Sequence, residues 1–153
     1  LETTTGIPIS TRGGTKTIAI DLFPSHTADA IFIPGNVASS KNSKQWTGKK
    51  LVWSKLASDY RDNTETLYLM YRQKFRALCK DKPKPLEVGF YFVRDSRRKF
   101  DFVNLVQTVQ DIIVRSEFLP DDNMDEMVPV PIEIDGRCYH VDKNQPGVYI
   151  VVL

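Results

Sequence analysis

The run Lys82-Pro83-Lys84-Pro85 constrains the fold more than any other feature of the chain. Each proline lacks a backbone N–H and crowds the preceding turn, so no helix can pass through this segment. On its N-terminal side, Leu56, Tyr60, Leu67, Met70, Tyr71, Lys74 and Leu78 recur at helical spacing, with Tyr68 and Phe75 widening the apolar face. A long helix is therefore predicted, capped by Ser54 or Ser58 and ending near Lys80. On the C-terminal side, Leu86 to Val93 alternates Val88, Phe90 and Phe92, the two-residue period of a central strand.

The remaining elements follow from local pattern. Residues 1–17 are rich in Thr and Gly without an apolar period and are expected to form a flexible N-terminal arm, followed by a single domain over 18–153. Strands are predicted over Thr17–Phe23 and Ala28–Ile33, the second stopped by Pro34-Gly35, and a polar loop follows from Asn36 to Lys50. Arg94 to Phe100 is a basic connector. A second helix over Phe102–Ser116 buries Leu105, Val109, Ile112 and Ile113. Three more strands, Met127–Ile134, Arg137–Val141 and Val148–Leu153, close the chain, the first two joined at Asp135-Gly136. Strands and helices mixed in this order, with a β-rich end, imply an α+β fold: a small mixed or antiparallel sheet packed with two main helices.

Composition narrows the function classes. Hydrophobic content of 41% and charged content of 26% are ordinary for a soluble globular chain. No apolar run reaches the length of a membrane span and no secretory signal pattern is visible, so no membrane partner and a cytoplasmic location are expected. Cys79 and Cys138 lie far apart, and His26 and His140 are equally isolated. Free thiols are expected, and neither a zinc site nor a His-based nucleophilic site is supported.

A net charge of +2 is uninformative, but the distribution of charge is not. Between Ser39 and Lys55 stand Lys41, Lys44, Lys49, Lys50 and Lys55 with no acid. Arg97 and Arg98 precede the second helix, and the turn Glu117 to Glu126 holds five acids with no base. Asp101 stands at the start of that helix, and Asp121 and Asp122 follow its end. If the returning chain brings these carboxylates together, oxygen ligands of this kind suit Mg²⁺ or Mn²⁺, which can activate water on a phosphodiester. The residues equally allow Asp101 to be a helix N-cap and Asp121-Asp122 a solvated turn. Trp46 either stacks on an unpaired base or packs against the body of the protein.

The stretch Arg97, Arg98, Asp101, Asn104, Leu105, Asp111, Asp121 and Asp122 resembles the RusA family of Holliday junction resolvases. The loop Pro34-Gly35-Asn36-Val37-Ala38-Ser39-Ser40-Lys41-Asn42 is similar to the family's Ser/Asn-rich loop, so the resemblance runs from about Ile31 to the C-terminus. It implies a small α+β homodimer that binds branched DNA and cleaves four-way junctions with Mg²⁺ (or Mn²⁺), of the kind found in phage and bacterial recombination and repair. It assigns metal binding to Asp101, Asp122 and the position of Val103, where the family carries an Asp. Asn104, Asp121 or Asp125 is expected to supply the replacement oxygen, with Asp125 favoured because it is charged and close in sequence. Asn104, Gln107, Asp111 and Asp121 are expected to support the ligands, with Gln107 standing where the family has a lysine. Ser40, Lys41, Asn42, Lys44, Arg97 and Arg98 are expected to contact DNA. The alternative implied by Val103 and Gln107 is a branched-DNA-binding protein whose catalysis is weakened or lost.

Overall fold

A computed structural model describes residues 6–11, 14–19, 29–41 and 44–153. The long helix, α1 (Lys55–Cys79), starts at Ser54, whose side chain accepts a hydrogen bond from the Ala57 amide at 3.3 Å. That bond satisfies one of the amides a helix start leaves unpaired. The helix ends just before the double-proline run, with Lys80 donating its amide to the Ala77 carbonyl. The buried stripe is Ala57, Tyr60, Thr64, Tyr68 and Phe75. Leu56 and Met70 were expected in that stripe, but both project outward, 78% and 70% exposed. Periodicity gave the helix; the sheet below chose a face one residue around.

The sheet is built on β6 (Leu86–Arg94), with β9 (Gly147–Val152) antiparallel beside it and β3 (Ala30–Pro34) antiparallel beyond β9. On its other side β6 takes two short strands in succession, β7 (Met127–Pro131) and β8 (Tyr139–Val141), both parallel to it. The sheet is thus mixed, as expected. The pairing of the two short strands differs from expectation: Asp135-Gly136 makes a turn with both residues at positive φ, but only Ile134 and Arg137 bridge across it. Parallel pairing to one long strand wins because β6 offers a full unpaired edge.

Helix α2 (Phe102–Arg115) packs with α1 on one face of the sheet, burying Leu105, Val106, Val109, Ile112 and Ile113 against Val88, Phe90, Phe92, Val148 and Ile150. The other face buries Tyr91, Val93, Phe32, Tyr149 and Val151 with Ile132 and Ile134. This explains why β6 is buried on both faces instead of alternating between core and solvent.

Two further hairpins were not expected. The segment taken as a flexible arm contains β1 (Gly6–Thr11) paired antiparallel with β2 (Gly14–Ala19). Its β-branched Ile and Thr residues favour extended pairing. The predicted strand Thr17–Phe23 overlaps β2, and residues 20–23, like His26 and Asn42, lie outside the described residues. Within the predicted polar loop, β4 (Lys44–Trp46) pairs with β5 (Leu51–Trp53). Both cysteines are free, Cys79 half-buried and Cys138 exposed. No helix among the described residues is long and apolar enough to cross a membrane.

Gly147 stands opposite Pro34 where β9 pairs with β3. A Cβ there would lie 2.6 Å from the Ile33 carbonyl oxygen and strike the Phe32 ring. Gly147→Ala should therefore cost about 1–3 kcal/mol through overpacking. Urea unfolding checks this: the midpoint should fall with no change in slope.

Candidate nucleic-acid interface

The segment from Gly35 to Lys41 is not a free loop; nearly every residue is tied to the body. The Gly35 amide donates to the Pro146 carbonyl at 2.8 Å, and the Asn36 side-chain oxygen accepts from the Asp95 amide at 3.2 Å. Arg94 donates to the Val37 carbonyl at 2.7 Å, and the Thr108 hydroxyl donates to the Ala38 carbonyl at 2.7 Å. The Ser40 amide donates to the Asn104 carbonyl at 2.9 Å, and its hydroxyl donates to Gln107 Oε1 at 2.9 Å. Gly35, at φ +116°, holds a backbone conformation that side chains rarely adopt. A Cβ added there would meet the Thr64 methyl at 3.5 Å and the Tyr60 ring at 3.6 Å, ordinary contact distances, so it is the backbone conformation that favours glycine.

Pinning this segment brings three parts of the sequence to one cleft of about 1090 Å³. The segment supplies Asn36, Ser39 and Lys41; α1 supplies Leu56, Asp59, Tyr60, Asn63 and Thr64. The connector and the start of α2 supply Arg94, Asp95, Arg98, Lys99, Asp101 and Asn104. Four cations therefore face three carboxylates. Arg94 is half-buried, held by Val37 and stacked 5.1 Å from the centre of the Phe100 ring. Burial lowers its pKa, with Asp95 opposing that shift, and a guanidinium stays charged throughout the ordinary range. Lys41, Arg98 and Lys99 are exposed and ready to meet an anion.

Asp101 occupies the N-cap position of α2, yet its side chain makes no capping bond. Its carboxylate instead accepts from the Asn104 side-chain amide at 3.3 Å and is exposed in the cleft. Asp101 is thus the N-cap by position, its carbonyl accepting from the Leu105 amide, while its carboxylate remains an acceptor beside the basic groups. Asp101, Lys99 and Phe100 also wall a second depression of about 570 Å³, completed by Phe92, Phe102, Pro131, Cys138 and Tyr139.

The acidic turn sorts its own members. Asp121 accepts from the Asp122 amide at 2.8 Å and from the Asn123 side chain at 3.0 Å, and Asn123 in turn accepts from the Asp125 amide. The Asp122 amide, then Asn123, hold the Asp121 carboxyl below its usual range. Asp121 is thus occupied in shaping the turn, and the half-buried Asp122 meets it through its side chain as well as its amide. Among the described residues no three His, Cys, Asp or Glu side chains are grouped to hold a metal ion. Asp101, Asp122 and Asp125 therefore do not form the expected three-acid set, and Asp125 is exposed. Val103 points to solvent, 71% exposed, and offers no donor.

Other expected residues divide similarly. Ser40, expected at DNA, spends its hydroxyl on Gln107, so it anchors the segment that carries Lys41. Gln107 is the receiving end of that anchor. Arg97 is exposed next to the cleft without lining it, and Asp111 is half-buried further along α2. Asn42 is outside the described residues, and Lys44 is placed only by its backbone in β4. No local pattern marks Asp59, Asn63 or Asp95, which tertiary folding alone brings to the cleft. Arg94 and Lys99 lie within the basic connector that the sequence predicts, beside Arg97 and Arg98.

No protein-family model matches the chain, and no curated protein matches it.

Two outcomes follow. Ser40→Ala should speed amide exchange across 36–41 while lowering stability by no more than about 1 kcal/mol, since one partly exposed hydrogen bond is lost. Exchange unchanged from wild type would contradict the anchoring role. For Asp121, the folded pKa is depressed, so its stabilising contribution is present above the unfolded pKa near 4 and is lost as pH falls through the lower folded value. Asp121→Ala should lower stability modestly at neutral pH, and the gap from wild type should close as pH falls below about 4; a gap that persists unchanged in acid would contradict this.

Proposed function

We propose that the protein is a RusA-type, structure-selective DNA endonuclease that resolves four-way junctions, with the cleft as its DNA site. The observation that carries this is the convergence of Lys41, Arg94, Arg98 and Lys99 with the uncapped Asp101 carboxylate, held by the stapled segment. Cations on rigid backbone neutralise phosphates and fix the register of a duplex arm. A carboxylate beside them stands where a divalent ion could bridge protein and scissile phosphate. The donors available are oxygens, which suits Mg²⁺ or Mn²⁺. Asp101 and the half-buried Asp122 are the residues that would hold the ion, which supplies charge neutralisation and an activated water. A homodimer would present two such clefts to the two strands of a junction.

A second possibility, branched-DNA binding without cleavage, is favoured by one observation. The position of Val103 is exposed and donor-free, so the ligand set as it stands is short of one carboxylate.

A synthetic four-way junction with Mg²⁺ or Mn²⁺ separates these. Wild type should nick the junction in preference to linear duplex, and Asp101→Asn should abolish nicking while leaving binding intact. Lys41→Glu with Arg98→Glu should weaken binding at least about tenfold at low salt and flatten the dependence of affinity on salt by about one phosphate per lost contact. Val103→Asp should raise metal-dependent cleavage. Binding without nicking by wild type or Val103→Asp would remove the enzyme claim, and binding indifferent to the charge reversals would remove the cleft.

A further inference from the structure

The hairpin of β4 and β5 rises from the rim of the cleft: Lys41 just before it and Leu56 just after it both line that cleft. It is anchored at both ends, by the Ser40 bonds to α2 and by the Ser54 cap of α1. Its tip is tight. Thr47 donates its amide to the Lys50 carbonyl at 3.1 Å, its hydroxyl bonds the same carbonyl at 3.2 Å, and Gly48 takes φ +88°. A two-residue turn with positive φ at its first position matches the twist of a β-hairpin, so this projection is preformed. Trp46, one of the two tryptophans of the chain, is 68% exposed beside exposed Lys49 and Lys50. An indole left in water at the end of a rigid, acid-free, lysine-bearing projection is a poor solution for stability alone. It suits a ligand that combines negative charge with flat apolar faces.

We infer that Trp46 is a stacking platform for an unpaired nucleobase of DNA whose phosphates occupy the cleft. This rests on the assignment of the cleft to DNA and adds what that assignment lacks, a means of distinguishing branched or single-stranded DNA from linear duplex. Phosphate contacts are blind to pairing, since every strand has them. Stacking on an aromatic ring requires a base face that duplex stacking does not already cover. The lysines around Trp46 draw the strand in, and the indole holds the base that the branch leaves open.

The test uses the full chain with three probes: an oligo-dT strand, a four-way junction and a linear duplex. Trp46→Ala should weaken binding of oligo-dT and of the junction by about 5- to 150-fold, the range of alanine substitutions at base-stacking residues, with duplex affinity within about twofold of wild type. Trp46→Phe should recover most of the loss, because a phenyl ring still stacks. Oligo-dT should quench wild-type tryptophan fluorescence, and this quenching should vanish in Trp46→Phe, where Trp53 is the only indole left. Trp46 is exposed, so neither change threatens the fold. Equal loss on all three probes, or no loss on any, overturns the stacking role while leaving the cleft assignment standing. Absence of salt-sensitive DNA binding by wild type overturns both.

Discussion

The structure depends on the fastening of residues 35–41 to the first two turns of α2. Thr108 is the centre of it: a buried hydroxyl on an otherwise apolar helix face, donating to the Ala38 carbonyl. A buried backbone carbonyl without a partner costs about as much as a lost hydrogen bond, so Thr108 fixes how close the segment lies. Ser40 and Arg94 then fix its direction from either side. Without these bonds Lys41 would be one lysine among several on a polar stretch. With them it stands across a cleft from Arg98 and Asp101, and the hairpin beyond it has a fixed base.

Three residues in and near the cleft sit where local stability is not best served. Asp101 starts a helix without a side-chain capping bond, forgoing a stabilising interaction that an N-cap carboxylate normally makes. Trp46 stays in water. Arg94 is half-buried against Phe100, where desolvation opposes its charge. Local choices that run against stability tend to gather at functional sites; Asp101 and Arg94 line the cleft, and Trp46 stands on the hairpin that follows Lys41. The acidic turn behaves differently, with Asp121 and Asn123 bonded to its own backbone.

Much of this was legible from the sequence, for reasons that are physical. The double-proline run ended α1 near Lys80, and the apolar period placed α2 within a residue of its observed bounds. The α+β class followed from that order. Facing was harder: Leu56 and Met70 keep the helical period yet point to solvent, because which stripe is buried depends on the sheet. The side-by-side placement of β7 and β8 on β6 depends on pairing across some forty residues of sequence, which no local pattern records. The strands of the 44–53 hairpin are three residues each, too short for alternation to register. At the site, Lys41, Arg98 and Asp101 announced themselves by charge and position. Asp59, Asn63 and Asp95 looked like ordinary surface residues until folding set them around the same space. Thr108 looked like a weak helix former, and its value lies in a partner seventy residues away.

The central claim is that the cleft beneath the stapled segment is where DNA lies. Hydrogen–deuterium exchange of the protein with and without a four-way junction tests it most directly. Protection is expected over residues 36–41 and 94–104, with the amides of 121–125 responding only when Mg²⁺ is added. Protection confined to the far end of α1, or to no segment while the junction is demonstrably bound, would contradict it.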